Sequence, residues 1–513
     1  MSISRDRAAA DRHRLASRSI SRVLPSGGVD KRYDLVIVGG GSAGLVSALV
    51  AAGAGARVAL IERDRTGGDC LWTGCVPSKS LIGAATLAQR MRSADRVGLV
   101  PVVPDIDFER VMDHVDGARA RIAQADSSQR LRQAGVAVTE GDAHFDGPGR
   151  IRVGSRRLSY ISALIATGSQ PVLPPIPGLA EARPLTSETV WGLRALPGRL
   201  VVLGGGAVGC ELGQAFGRLG SRVTIVEAGP RLLAREEPRA STLIASRLRD
   251  EQVVVRSQTA AVEVRREAGE VQVLLAGDPA ECELGCDEVL VAVGRRPRSA
   301  GLGLESVGVA TTPDGAVTVD DRLRTSARGV FAAGDVTGAP KFTHLGAHHA
   351  RVATVNALFH ARGRAQQAVV PRVTFTDPEV AGVGLTEAQA RERFGGRVVV
   401  CEFDYRDLDR AITVGEDLGF ARLIGDRRGR LVGATLVGAH AGESIAEMTA
   451  WMSTGAKIAD VSRTVHAYPT MSEGPARAAD EHLRRRYGHG AFAVASRLAL
   501  VALRCARPVR PRR

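Results

Sequence analysis

Two stretches of the chain repeat one pattern of apolar and polar positions. Residues 35–62, LVIVGGGSAGLVSALVAAGAGARVALIE, align without a gap on residues 200–227, LVVLGGGAVGCELGQAFGRLGSRVTIVE, at a constant offset of 165. Each opens with an apolar run of strand length and breaks into three glycines. Each continues as a helix and closes with a second apolar run ending on Glu. The pattern predicts strand, turn, helix and strand, the unit from which parallel α/β sheets are built. A further helix is predicted to begin near Cys75, from the apolar residues after Pro77 in SLIGAATLAQRM.

The two turns read Gly39-x-Gly41-x-x-Gly44 and Gly204-x-Gly206-x-x-Gly209. The first two glycines of such a turn permit a tight bend and close approach of a pyrophosphate; the third lets the helix pack on the strand. The phosphates then meet the N–H groups and positive end of the helix. Glu62 and Glu227 each stand 18 residues after the last glycine, where a carboxylate accepts hydrogen bonds from a ribose 2′-hydroxyl. One such motif is weak; two in full strand–turn–helix–strand context are strong. Two dinucleotide sites suggest two different dinucleotides, and a nicotinamide with a flavin is the natural pair for hydride transfer. A carboxylate at Glu227 repels a 2′-phosphate and favours NADH over NADPH, although Arg231 and Arg235 stand close by.

Length and charge narrow the reading. At 513 residues the chain suggests about three domains. No apolar run approaches the roughly 20 residues of a spanning helix. No secretory segment follows Met1, so a cytoplasmic protein is expected. The net charge of +14 lies at the ends. Residues 1–32 carry eight Lys and Arg against three Asp, and residues 483–513 carry nine Arg and no acid. The neutral body needs no nucleic acid as partner.

Seven cysteines are too scattered for a disulfide scaffold, but Cys70 and Cys75 lie five apart in GGDCLWTGCVPSK, just after the first repeat. A zinc site needs two such pairs or added histidines, and the only other close pair, Cys282 and Cys286, has no histidine nearby, so no metal site is expected. A buried structural pair is the second alternative. Redox exchange fits best, because a thiol at a helix N-terminus is readily a thiolate.

Here the chain resembles the class I pyridine nucleotide–disulfide oxidoreductases, in a mercuric reductase-like branch, over about residues 33–480. Besides GGDCLWTGCVPSK, the motifs are ALIATGSQP (163–171), VLVAVGRRP (289–297), GVFAAGDV (329–336) and VPRVTFTDPEVAGVGLTE (370–387). The resemblance implies an α/β fold with two Rossmann-like domains, for FAD and NAD, plus a C-terminal α+β dimerisation domain. The implied division is a basic arm over 1–30, an FAD domain over 31–165 and 290–362, an NAD(P) domain over 166–289, a dimerisation domain over 367–480 and a basic tail over 481–513. FAD would sit at the first turn, with Thr167, Gly168 and Asp335, and NAD(P)H at the second, with Gly294. Electrons would pass from NADH through FAD to the Cys70–Cys75 disulfide. Cys75 would be the thiolate near the flavin and Cys70 the more exposed interchange thiol. Lys79 and Glu211 would pair near the flavin. The chain would act as a homodimer.

The C-terminal motif departs from most of that family. VHAYPTMSEGPARAAD (465–480) places Tyr468 where a histidine precedes Pro-Thr, with Glu473 five residues on. A phenol does not shuttle protons near pH 7, whereas imidazole does. Tyr468 and Glu473 would face the partner's cysteines, and His466 is an alternative base. The implied acceptor is a metal ion, a quinone or an oxidised electrophile. Dihydrolipoamide dehydrogenase activity through His466 is the enzyme alternative, and a non-enzymatic flavin redox sensor with basic tails is the other. In the tail, Arg497 and Arg504 lie seven apart on one stripe of an otherwise apolar helix, suited to peripheral contact with a membrane surface at the inner face.

Overall fold

The computed structural model describes residues 32–506 apart from 268, 278–281, 367 and 489. The arm expected over 1–30 lies outside the described residues. The first sheet runs, in spatial order, Ala137–Glu140, Val58–Glu62, Tyr33–Val38 and Arg156–Ile165, and continues into Arg150–Val153 and Ala143–Phe145. Its centre is parallel, with Ile37 opposite both Leu60 and Leu164. Strands covered on both faces read as unbroken apolar runs, and Leu35, Val36, Ile37 and Leu60 are fully buried. Truncating one of them to Ala would cost about 2–5 kcal/mol. The helices Ser42–Gly53 and Thr343–Phe359 cover one face, through Ala48, Ala350 and Ala353. Val330–Ala332 pairs parallel with Arg156–Ile165, so a segment far along the chain completes the first sheet.

The second sheet repeats this construction. Val254–Ser257, Arg222–Glu227, Arg199–Leu203, Glu288–Val291 and Leu185–Thr186 lie side by side, all parallel. A three-stranded antiparallel sheet, Thr259–Glu267, Glu270–Gly277 and Cys282–Cys286, packs on it through Val264, Val271 and Val273. Two short strands, Ser169–Pro171 and Arg295–Pro297, pair antiparallel where the chain leaves and re-enters the first unit, with Arg296 opposite Gln170. Beyond residue 370 a five-stranded antiparallel sheet carries the helices Ala441–Ser453 and Glu473–Gly488. The α/β class, with two dinucleotide-type units and a C-terminal α+β unit, is the one the sequence pointed to.

Candidate active site

The two glycine turns have the same geometry. A Cβ on Gly44 would stand 1.8 Å from the carbonyl oxygen of Gly39, and one on Gly209 would stand 1.9 Å from that of Gly204. Only glycine lets each helix seat this closely on its turn. The carboxylates repeat as well. Glu62 accepts from the N–H of Gly40 at 2.6 Å and from that of Asp64 at 3.0 Å. Glu227 accepts from Gly205 at 2.7 Å and from Gly229 at 2.6 Å. Both are thus aimed by backbone donors at the mouth of their turns. Of the two nearby arginines, Arg231 donates to the carbonyls of Glu236 at 3.0 Å and Ala234 at 2.8 Å, which holds its guanidinium on the loop. Arg235 is exposed.

A cavity of about 910 Å³ opens along the first turn. Gly39, Gly41, Glu62, Thr167, Gly168 and Asp335 line it, together with Cys70, Cys75, Lys79 and Glu211. The residues fit a flavin dinucleotide on two counts. Bare backbone forms the cradle, where a Cβ on Gly68 would strike the Cα of Gly41 at 2.5 Å. The same cavity joins the ribose-binding type of carboxylate to the cysteine pair. Asp335 accepts from Ser169 Oγ at 2.7 Å; burial nevertheless pushes its carboxyl above the usual range. Thr167 Oγ1 donates to the carbonyl of Arg298, and Gly168 takes φ +72°. Gly294 lies outside the residues lining this cavity; its carbonyl accepts from Val172 at 3.0 Å and ties the two crossing strands.

Both cysteines are free thiols. Cys70 lies in the short helix Gly68–Trp72, and Cys75 is the first residue of the helix Cys75–Arg92. Both line the cavity, where Cys75 is exposed and Cys70 half-buried. The helix start turns Cys75 into the cavity, and Cys70 lines it from its own short helix. A hydrogen bond from Cys70 lowers the Cys75 thiol to about 6, against burial, with help from Thr343 and Lys79. The same bond, burial and the Cys75 charge raise Cys70. These opposite shifts favour Cys75 over Cys70 as the thiolate of the pair.

Lys79 lies one turn further along the helix. Its Nζ is 2.8 Å from Glu211 Oε2 and 4.4 Å from the centre of the Phe375 ring. Glu211 comes from the helix Ala207–Leu219 of the second unit and is nearly buried; its other oxygen accepts from the N–H of Phe375 at 2.8 Å. Three residues that sequence reasoning missed also act here. Thr343 Oγ1 lies 3.5 Å from Cys75 Sγ. Asp69, beside Cys70, raises both thiols and lies 3.3 Å from Arg295. Arg295 also bonds Ser169 and Ser187, joining both crossing strands to the cysteine loop. Isolated polar residues of this kind carry no local sequence signal.

The C-terminal motif lies apart from this cavity within the protomer. Tyr468 is 67% exposed and donates to Asp409 Oδ2 at 2.9 Å, which raises its phenol above the ordinary value. His466 has both ring nitrogens engaged, with the carbonyl of Thr464 at 2.9 Å and Glu447 at 3.0 Å. Glu473 caps its own turn, accepting from the N–H of Thr470 at 3.3 Å, and lies 3.5 Å from Arg477. The three residues thus have separate partners.

Comparison with known proteins agrees with this geometry. Residues 33–353 match the family described as pyridine nucleotide-disulphide oxidoreductase, and residues 370–479 match its dimerisation domain. The chain is 38% identical to a dihydrolipoyl dehydrogenase of Thermus scotoductus, over 88% of this chain and 97% of that protein. It is 37% identical to a mercuric reductase of Streptomyces lividans, over 86% and 94%. A Cu(II) complex of the HOCl-induced flavoprotein disulfide reductase RclA from Escherichia coli superposes with a TM-score of 0.79 at 30% identity, covering 88% of this chain and 99% of that one.

Proposed function

The chain belongs to the pyridine nucleotide-disulphide oxidoreductase family, and within it we propose an NADH-dependent reductase whose terminal acceptor is a soft metal ion. FAD and NAD(P)H are the family's cofactors, and a homodimer is the assembly its dimerisation domain supports. One observation carries the acceptor reading. The position that holds the family's histidine holds Tyr468, and its hydroxyl is spent on Asp409 at 2.9 Å. His466 has a partner on each nitrogen. Reduction of a metal ion needs no proton relay at that place, and soft ions favour thiolates. The Cu(II) and mercury chemistry in the names of two relatives supports the same reading.

When bound, the flavin supplies the two-electron link between nicotinamide and disulfide. The chain's own residues do the rest. Glu227 and the second turn select and orient a dinucleotide with a free 2′-hydroxyl. Lys79, held by Glu211, keeps a positive charge beside Cys75. Two electrons entering the Cys70–Cys75 bond break S–S, leaving the Cys75 thiolate and, with one proton from solvent, the Cys70 thiol. Loss of that proton and of two electrons to two one-electron acceptors such as Cu(II), or to one Hg(II), restores the disulfide.

The second reading is dihydrolipoamide dehydrogenase, favoured by the Thermus relative. Purified, FAD-loaded protein given NADH and, in turn, Cu(II), Hg(II), lipoamide and a quinone separates the two. Metal-dependent NADH oxidation, lost in Cys70→Ser and Cys75→Ser, is expected. Lipoamide turnover exceeding that with either metal overturns the proposal.

A further inference from the structure

The helix Gly490–Ala506 is a surface that the redox chemistry leaves unexplained. It follows the helix Glu473–Gly488 and turns its apolar residues outward. Val494, Leu498, Leu500, Val501 and Leu503 are each more than half exposed, while Ala493 is buried. Arg497 and Arg504, seven apart, fall on one stripe of it. No helix among the described residues is long and apolar enough to cross a membrane.

We propose that this helix docks the protein on an anionic lipid surface, lying in the plane of the headgroups. Leaving five large apolar side chains in water is unfavourable, so the helix calls for a covering surface. The charge says which kind. From residue 483 to the end the sequence has nine Arg and no Asp or Glu. A second copy of the helix would bring arginines against arginines with no carboxylate in this segment to meet them. A nucleic acid would engage the arginines and leave the leucines in water. An anionic bilayer surface satisfies both sets: the leucines enter the acyl boundary, and the arginine stripe stays at headgroup level, reached by its long side chains. The inference is independent of the acceptor, because these residues lie outside the cysteine cavity.

Flotation of the full-length, FAD-loaded protein with vesicles tests it. One set is phosphatidylcholine alone; the other carries about a third phosphatidylglycerol, which supplies the negative surface. At least about tenfold more protein is expected on the anionic set, falling steeply as salt is raised. Leu498→Glu/Leu503→Glu and Arg497→Ser/Arg504→Ser are each expected to return the protein to the soluble fraction with unchanged NADH oxidation. Equal recovery on both vesicle sets overturns the proposal, as do variants that float like wild type. A fall in sedimenting mass of the leucine variant would overturn it too, assigning the helix to contact between copies. Retention of duplex DNA matching that of anionic vesicles would assign it to nucleic acid and equally overturn it.

Discussion

The ammonium of Lys79 lies 2.8 Å from Oε2 of Glu211, and the two belong to helices of different dinucleotide-binding units. The ion pair therefore does two things: it fixes a positive charge at the cysteine helix, and it clamps one unit on the other. Glu211 is nearly buried while Lys79 is a third exposed, so water screens the pair in part. Glu211→Gln keeps an acceptor for the Phe375 N–H but loses the charge. A loss of about 1–2 kcal/mol in unfolding free energy is expected. A double-mutant cycle with Lys79→Met checks it: strict additivity would mean that the pair contributes nothing.

The thiols give a pH signature. Cys75 is lowered from an ordinary 9.0 to about 6, first by the hydrogen bond from Cys70 and further by Thr343 and Lys79. Its folded pKa is below the unfolded one. The stability it contributes is thus present above pH 9 and lost as pH falls through about 6. Iodoacetamide alkylation of the reduced protein follows the thiolate. The rate at Cys75 is expected to rise with a midpoint near pH 6, and Cys70→Ser and Lys79→Met are each expected to move it upward. A wild-type midpoint near 9.0 would refute the thiolate assignment.

How much of this was legible follows from how local each signal is. The repeated turns announced themselves, because strand, glycines and helix are adjacent in sequence, and the structure shows each turn closing on the equivalent carbonyl, that of Gly39 or Gly204. The cysteine pair was equally local. The pairing of Lys79 with Glu211 spans 132 residues and came only through family resemblance. Arg295 and Thr343 were invisible, since one polar residue gains a role only when the fold brings a distant loop to it. His466 was offered as an alternative base; its partner Glu447 lies 19 residues upstream, on the helix Ala441–Ser453.

The twin turns predict separable losses. A methyl group at position 44 would meet the Gly39 carbonyl at 1.8 Å, and one at 209 the Gly204 carbonyl at 1.9 Å, so both substitutions must displace a helix end. Gly44→Ala is expected to purify colourless. Gly209→Ala is expected to keep its flavin and bind NADH at least about 100-fold more weakly, roughly 2.7 kcal/mol. Absorbance at the flavin band and calorimetric titration with NADH check the two. Flavin lost from Gly209→Ala and retained by Gly44→Ala would reverse the assignment of turns.

Cofactor choice rests on Glu227, whose carboxylate is held by Gly205 and Gly229 while Arg231 is spent on loop carbonyls. NADH is expected over NADPH by at least about tenfold in kcat/KM, because a 2′-phosphate would meet a fixed negative charge. Glu227→Ala removes that repulsion together with the acceptor for the 2′-hydroxyl. The preference is expected to narrow mainly through KM, as befits a contact made equally in ground and transition states. An NADPH preference in wild type, or no change in the ratio in the variant, would count against the role.

The last prediction concerns protons at Tyr468. Its hydrogen bond to Asp409 raises the phenol above its ordinary value, so at neutral pH the group donates and does not accept. Asp409→Asn removes the first cause of the shift, and ultraviolet titration is expected to show a phenolate forming at lower pH. Tyr468→Phe is expected to reduce metal-ion acceptors within about threefold of wild type, with the limbs of the pH–rate profile unmoved, because no proton passes through this group. Tyr468→His installs an imidazole near Glu473 and is expected to raise lipoamide turnover by at least about tenfold, a modest share of what general acid–base catalysis commonly supplies. A neutral-range ionisation in the wild-type profile that vanishes in Tyr468→Phe would instead make the phenol itself the proton carrier. It would also remove the reason for choosing an acceptor that needs none.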